Sequence, residues 1–396
     1  MPTQQSESAP GPSVKPRILI IGFGALGILY GWTLAQGGAE VVAYARSNAE
    51  LIRKDGVDLK SLKYGEHLGW KPAAVASSES EAQQHGPYDY VLCTFKVVPE
   101  LQSISSLVAP LISPSSNIKP LLILVQNGIA IEQEPYEKLC MGNDAPFSGL
   151  ISCCAWLGAT LREGRICEHG GLETLNIGLY PTPEAKELQQ GSERVKAWES
   201  FIEVYSAGGG GAIRSEDVQI ARWRKIFWNA CWGGLCFTSR QTVMSLLSDD
   251  SLEYTVPVVK ILMSEFEPYL SMNRCMQVAR ATGLGPESLP DSAMDDAFNI
   301  TYPERPSNPD RQGRLAPGFK PSLLIDLEAG RPMELVPGVG NVCTLARKHG
   351  VSTPALDLVL ASLRPAQVAA VKSARQERGL DTKTIEGSGG PPAKAL

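Results

Sequence analysis

Two polar side chains interrupt an apolar helical stretch, Lys225-Ile226-Phe227-Trp228-Asn229-Ala230-Cys231-Trp232-Gly233-Gly234-Leu235-Cys236, and they stand four residues apart. That spacing puts Lys225 and Asn229 on one helix face. A helix apolar on its other sides is buried, and a lysine taken out of water without a partner is costly enough to shift its pKa or demand a ligand. The pair is therefore expected to face a cleft, and Gly233, one turn further on, to leave room for a bound molecule. Reduction of a carbonyl by hydride suits an ammonium in that place, because negative charge builds on oxygen and the ammonium both stabilises it and supplies a proton. Arg222 and Arg224 can stabilise such a charge but are poor proton donors. The competing reading takes Arg222-Trp223-Arg224-Lys225 as a basic stripe snorkelling over aromatic surface, and helix geometry weighs the two equally.

A second cluster runs from Ser322 to Leu335. Ser322 and Asp326 share a helix face, Gly330 ends the helix, and Glu334 stands in an apolar stretch where a carboxylate needs a partner. Each also has a structural reading: Ser322 as a helix cap, Asp326 paired with Arg331, Glu334 holding a neighbouring backbone.

The elements that would position these residues begin at Arg17. The apolar run Arg17-Ile18-Leu19-Ile20-Ile21 feeds into Gly22-Phe23-Gly24-Ala25-Leu26-Gly27, a strand turning into a helix over a dinucleotide pyrophosphate. The first glycine allows the tight turn, the second lets backbone N–H groups approach the phosphates, and the third lets helix and strand pack closely. Gly37-Gly38 closes the helix and Glu40–Tyr44 supplies the next strand. After it stands Arg46 rather than a carboxylate. A carboxylate accepts the ribose 2′-hydroxyl of NAD, whereas a guanidinium clamps a 2′-phosphate, so the expected cofactor is NADPH.

Further along, Tyr88–Thr94 ends at Lys96 and Leu121–Gln126 ends at Asn127-Gly128. Strands alternating with helices imply a parallel sheet with ligands beyond the strands' carboxyl ends, where Lys96 and Asn127 both lie. Phe147–Tyr180 reads as additional strands at the sheet edge and Ala185–Ala207 as a helix. Gly208-Gly209-Gly210-Gly211 reads as a hinge, and nearly everything after it as helical. The fold class is thus α/β, an N-terminal Rossmann-type doubly wound sheet followed by an all-helical C-terminal domain. The expected divisions are a disordered leader (1–14), a cofactor-binding domain (15–207), the hinge (208–211), a helical substrate domain (212–376) and a disordered tail (377–396).

The 396 residues suit about two domains. A net charge of −5 offers no general attraction to nucleic acid or anionic membrane, and no apolar run suits a bilayer. Nine cysteines without a C-x-x-C fit reduced thiols, and the polar start lacks the apolar core of a secretory signal, so a cytoplasmic protein is expected.

In combination, Gly22–Gly27, Arg46, Thr94-Phe95-Lys96, Val125-Gln126-Asn127-Gly128, Trp223-Arg224-Lys225 with Asn229, and Ser322 through Asp326 to Gly330-Arg331 and Glu334 resemble the ketopantoate reductase (2-dehydropantoate 2-reductase) family. That family is an NADPH-dependent branch of the enzymes similar to 6-phosphogluconate dehydrogenase, acting in pantothenate biosynthesis. The resemblance implies that Lys225 is the proton donor and that Asn229 and Ser322 contact substrate. It implies that Asn127 touches both nicotinamide ribose and substrate, that Lys96 and Ala155 line the cofactor, and that Glu334 binds the cofactor or orients the cleft. The implied partner is a small keto substrate, with a homodimer left open. Two departures stand out: Gly233 and Val243 occupy positions where family members often carry asparagine, and Trp228 and Trp232 are expected to make the cleft more apolar. The loop 302–320 is also long. The expected reaction is reduction of ketopantoate or a related 2-keto acid; reduction of a secondary-metabolite ketone or imine, and a non-catalytic NADP(H)-binding regulator, are the alternatives.

Overall fold

The computed structural model describes residues 15–113, 118–264, 274–302 and 319–382. The expected leader, most of the long loop 302–320 and residues 383–396 of the expected tail lie outside the described residues.

The strands are β1 (Arg17–Ile21), β2 (Glu40–Tyr44), β3 (Val57–Ser61), β4 (Gly65–Trp70), β5 (Ala74–Ala76), β6 (Tyr90–Cys93), β7 (Leu121–Leu124), β8 (Gly149–Arg162), β9 (Ile166–Tyr180) and β10 (Ala212–Arg214). They form one mixed sheet in the order β4-β3-β9-β8-β7-β6-β1-β2-β5, with β10 beside β9. From β8 to β5 all pairings are parallel; Ile20 of β1, for example, stands opposite Ala43 of β2 and Leu92 of β6. The apolar runs of β1, β6 and β7 are buried throughout or nearly so, as strands covered on both faces must be. Ile18 and Ile20 face one core while Leu19 and Ile21 face another. Helix α1 (Ala25–Gln36) and the helix Glu193–Ala207 cover the first of these faces.

Three expectations are corrected here. The hairpin β8–β9 is not an edge addition: β8 continues the parallel core, β9 runs antiparallel to it, and β3 and β4 cross over to form the edge beyond. Nor is 208–211 a free hinge. A Cβ on Gly208 would lie 1.8 Å from the Thr33 carbonyl oxygen, one on Gly210 would enter the Tyr205 ring, and one on Gly211 would lie 2.4 Å from the Glu173 carbonyl oxygen. The glycines thus let the end of Glu193–Ala207 cross α1 at backbone contact, after which β10 pairs with β9. The sheet region therefore extends to Arg214. The expected single helix Ala185–Ala207 is also broken, at Gly191 with φ of 60°.

Beyond Asp217, whose carboxylate accepts from the Gln219 N–H at 3.0 Å, the described chain is helical. Helix α2 (Val218–Trp228) passes through one wide π turn, Asn229–Gly233, into Gly234–Ser239. Helices Val243–Leu246, Leu252–Ser264, Arg274–Ala281, Ser292–Asn299, α3 (Ser322–Glu328), Asn341–Lys348, which follows a π turn at Val336–Gly340, and α4 (Pro354–Glu377) make up the rest of this half among the described residues. They enclose a third core around Phe227, Trp232, Val259, Leu324 and Val342.

Candidate active site

The chain leaves β1 at Gly22 with φ of 94°, a conformation glycine adopts without strain. A Cβ there would stand 2.7 Å from the Phe95 nitrogen, and one on Gly27 would lie 2.5 Å from the Gly22 carbonyl oxygen. Gly24 has open space where its Cβ would be, and no side chain caps α1. The first N–H groups of the helix therefore face an open approach with the positive end of its dipole behind them, which fits a pyrophosphate. Ala25 and Leu26 open that first turn. Phe23 contributes its backbone alone, because its ring is buried against Trp70 at 6.2 Å. Arg46 lies exposed just past the end of β2.

The carboxyl ends of β6 and β7 lie on the same side of the sheet as this turn. The Thr94 hydroxyl donates to the Gly22 carbonyl at 2.6 Å, tying the β6 end to the glycine turn. The next residues reach the helical half: Lys96 pairs with the buried Asp326 of α3, which also holds Arg331 at 3.0 Å. The Val97 N–H donates to Glu334 Oε1 at 2.9 Å. Burial pushes the Glu334 carboxyl up to about 6, against the opposing pull of the Val97 N–H and Lys96. The folded chain thus favours its protonated form. The stability it contributes is complete below the ordinary value of about 4.3 and is lost as pH rises through 6. Glu334→Gln, neutral at every pH and still able to accept from Val97, is expected to gain about 2 kcal/mol over wild type at pH 8 and about 0.5 kcal/mol near pH 4.5. Denaturant melts of the cofactor-free protein at both pH values check this; equal differences at the two would contradict it.

Lys225 occupies the centre of the cleft. Its ammonium donates to Asn127 Oδ1 at 2.7 Å and to the Ala155 carbonyl of β8, and it stands 5.5 Å from the centre of the Trp156 ring. Asn127 comes just after β7, so α2 meets the sheet where its strands end. Burial pushes the Lys225 pKa below the usual lysine value; the charge of Arg222 acts in the same direction, while Cys154 and Glu334 oppose it. Asn229, one turn on, lines the same cleft, with Cys154 and Ile226 on its wall. The structure thus brings together Lys225, Asn229, Asn127 and Ala155, with Glu334 near enough to act on the lysine's charge. Ser322 is exposed at the first turn of α3, one turn from Asp326, and is not part of the cleft wall around Lys225.

Three expectations about this cleft are corrected. Gly233 does not make room for a ligand: it is buried, and a Cβ there would lie 2.7 Å from the Phe237 ring. Val243 is fully buried in the helical core. Trp228 and Trp232 are core residues too, the first donating to Thr301 Oγ1 at 2.7 Å and the second packed on Phe298. The wide turn at Asn229–Gly233 changes the helical phase after Asn229, so straight-helix spacing misplaces the residues beyond it. Two residues in the cleft wall were not singled out by the sequence as part of the site. Arg222 is buried among carbonyls, and Gln126 has a buried carboxamide with no hydrogen-bond partner among the described residues. The signal for Arg222 was present: it is a third polar group on the Lys225 face, three residues earlier.

Among the described residues no helix is long and apolar enough to cross a membrane. The family model for ketopantoate reductase PanE/ApbA matches residues 18–182, and the model for its C-terminal domain matches 217–367. A 2-dehydropantoate 2-reductase of Nostoc sp. is 23% identical over 350 residues, covering 87% of this chain and 93% of that protein. The uncharacterized protein YDL144C of Saccharomyces cerevisiae is 25% identical over 358 residues, covering 87% and 91%. Among solved structures, 2-dehydropantoate 2-reductase from Methylococcus capsulatus superposes with a TM-score of 0.67 at 27% identity, covering 89% of this chain and 97% of that one. D-Mandelate dehydrogenase with NADH and anilino(oxo)acetate gives 0.67 at 18%, covering 92% and 100%, which shows a shared fold. With both halves of the architecture matched in order, the chain belongs to the ketopantoate reductase PanE/ApbA family, oxidoreductases that act on CH–OH and C=O groups with a nicotinamide cofactor.

Proposed function

We propose that the protein reduces ketopantoate or a related 2-keto acid to the 2-hydroxy acid with NADPH, Lys225 giving the proton to the carbonyl oxygen. The observation that carries this is the state of the Lys225 ammonium. Two of its three N–H bonds are committed to Asn127 Oδ1 and the Ala155 carbonyl, and its wall of the cleft leaves the third for a substrate oxygen. Its lowered pKa makes it a stronger acid than an exposed lysine, which suits proton donation near neutral pH. Asn229, which makes no hydrogen bond through its side chain among the described residues, is assigned to the substrate carboxylate or hydroxyl. Ser322 is retained as a substrate contact on family resemblance.

NADPH, when bound, supplies the hydride. Gly22 to Gly27 would hold its pyrophosphate, Lys96, Asn127, Ala155 and Glu334 its nicotinamide half, and Arg46 its 2′-phosphate. Two features support the phosphate assignment. No carboxylate stands directly after β2, and Arg378, at the surface just past the end of α4, lies close enough to Arg46 that partial desolvation and then that like charge hold its pKa below the usual arginine value. Two guanidinium groups brought that near each other favour an anion between them.

The half-buried Trp156 ring, 5.5 Å from the Lys225 ammonium, favours a second substrate reading, a 2-keto acid carrying a larger apolar group than ketopantoate does. A panel of straight, branched and aryl 2-keto acids, monitored by NADPH absorbance, tests the proposal. Turnover of ketopantoate or of a bulkier 2-keto acid is expected. Turnover confined to simple ketones or imines would overturn the substrate class, and tight NADPH binding without any turnover would favour a non-catalytic role.

A further inference from the structure

Arg222 sits one turn before Lys225 on α2 and is 2% exposed, yet every edge of its guanidinium is occupied. Nη1 donates to the carbonyls of Gln126 at 3.0 Å and Gly128 at 2.7 Å, the two that flank Asn127. Nη2 donates to the Cys153 carbonyl at 3.0 Å and Nε to Ser152 Oγ at 2.9 Å, both on β8. Nε also lies 2.7 Å from Glu132, whose carboxylate accepts from Ser152 and Gln219 and is itself 1% exposed. Lys225 grips the same two segments one turn later, through Asn127 and Ala155. On its far side the loop is closed off: a Cβ on Gly128, φ 104°, would lie 2.5 Å from Pro337 Cβ, and the Ile129 N–H donates to the Pro337 carbonyl at 3.2 Å.

We infer that Arg222 is a positioning residue, whose guanidinium holds the Gln126–Gly128 backbone and β8 so that Asn127 and the Lys225 ammonium meet in the orientation the reduction requires. The inference rests on the proposed role of Lys225. Geometry supplies the reason. A planar guanidinium reaches two carbonyls with one nitrogen while its other edge binds two more acceptors, and an ammonium on a single stem does not. Without that bridge the backbone on either side of Asn127 is held by its outer contacts to Pro337 and Asn341, and the Lys225–Asn127 bond loses the frame that fixes its orientation. Glu132 balances the buried charge, so the device adds a fixed contact rather than a free cation beside the reacting atoms.

Arg222→Lys keeps the charge beside Glu132 and loses the bridge. Two readouts are combined. In the cofactor-free protein, hydrogen exchange by mass spectrometry is expected to rise at least tenfold in peptides covering 126–130 and to stay unchanged over β1 and β2. With NADPH and the best 2-keto acid of the panel, kcat is expected to fall roughly a hundredfold, the effect of displacing a reacting group by about 1 Å, while affinity for adenosine 2′,5′-bisphosphate stays within twofold. Adding Asn127→Ala to Arg222→Lys is expected to cost less than the sum of the two single changes, since both disturb the Lys225–Asn127 contact. Arg224→Lys, half-buried on α2 and facing Asp296 rather than the cleft, is the control and changes none of these. Unchanged exchange at 126–130, or a loss of bisphosphate affinity equal to the loss of kcat, would overturn the inference. Full activity in Lys225→Met would sink the proton-donor reading alone, leaving the exchange result to judge the positioning role.

Discussion

Lys225→Met is expected to lower kcat for 2-keto acid reduction by about a thousandfold, the middle of the range for removal of a positioned general acid. Methionine keeps the length and apolar stem, so the helix face stays packed. NADPH affinity is expected to change only a few-fold, because the residue's proposed partner is the carbonyl oxygen. Stability shifts little. The Ala155 carbonyl and Asn127 lose a donor, but a desolvated ammonium is also removed from the cleft. The pH dependence has a definite sign. The acid must be protonated, so kcat falls as pH rises through the Lys225 pKa, and burial places that fall below the ordinary lysine value of about 10.4. In Lys225→Met this alkaline limb is expected to vanish. A thousandfold loss with the limb intact would assign the proton to another group.

Arg46→Ala is expected to weaken NADPH binding by about thirtyfold and leave NADH binding unchanged, so that the preference collapses or reverses. The magnitude comes from losing a charge-assisted, bidentate phosphate contact, about 2 kcal/mol for an exposed site. Fluorescence titration with both cofactors measures it. Because Arg46 is exposed and lies beyond the buried layers of β2, melting temperature is expected to stay constant, which separates a binding effect from a folding one. An unchanged NADPH preference would remove Arg46 from the cofactor site.

The glycine turn and the Lys225–Asn229 pair were legible in the sequence because each is a local contradiction. Three glycines at that spacing between an apolar strand and a helix mark a tight turn with close backbone approach, and two polar groups on one face of an apolar helix need a reason. The reading of Asp326 was right in part: its pairing with Arg331 was foreseen locally, whereas Lys96 reaches it across 230 positions of chain. Arg222 shares the Lys225 helix face, but its partners, three backbone carbonyls with Ser152 and Glu132, lie 69 to 96 positions away and carry no local sequence signature. The misreadings share a cause. At Gly208–Gly211 and Gly233 the absent side chain signals a close neighbour, and only the packed structure reveals whether that neighbour is a ligand, solvent or another part of the chain. At Gly208 it is α1 and at Gly233 it is the Phe237 ring. The wide turn from Asn229 to Gly233 had no propensity signal either, and it alone shifts the phase of every later residue on that helix.

In the proposed reaction the Lys225 ammonium protonates the oxygen of the carbonyl being reduced. A crystal structure of the protein with NADP⁺ and the preferred 2-keto acid tests it directly. The ketone oxygen is expected roughly 2.6–3.2 Å from Lys225 Nζ, filling the third N–H direction while Asn127 and Ala155 keep the other two. A ketone oxygen held by some other donor, with Lys225 Nζ bonded to protein groups alone, would contradict it.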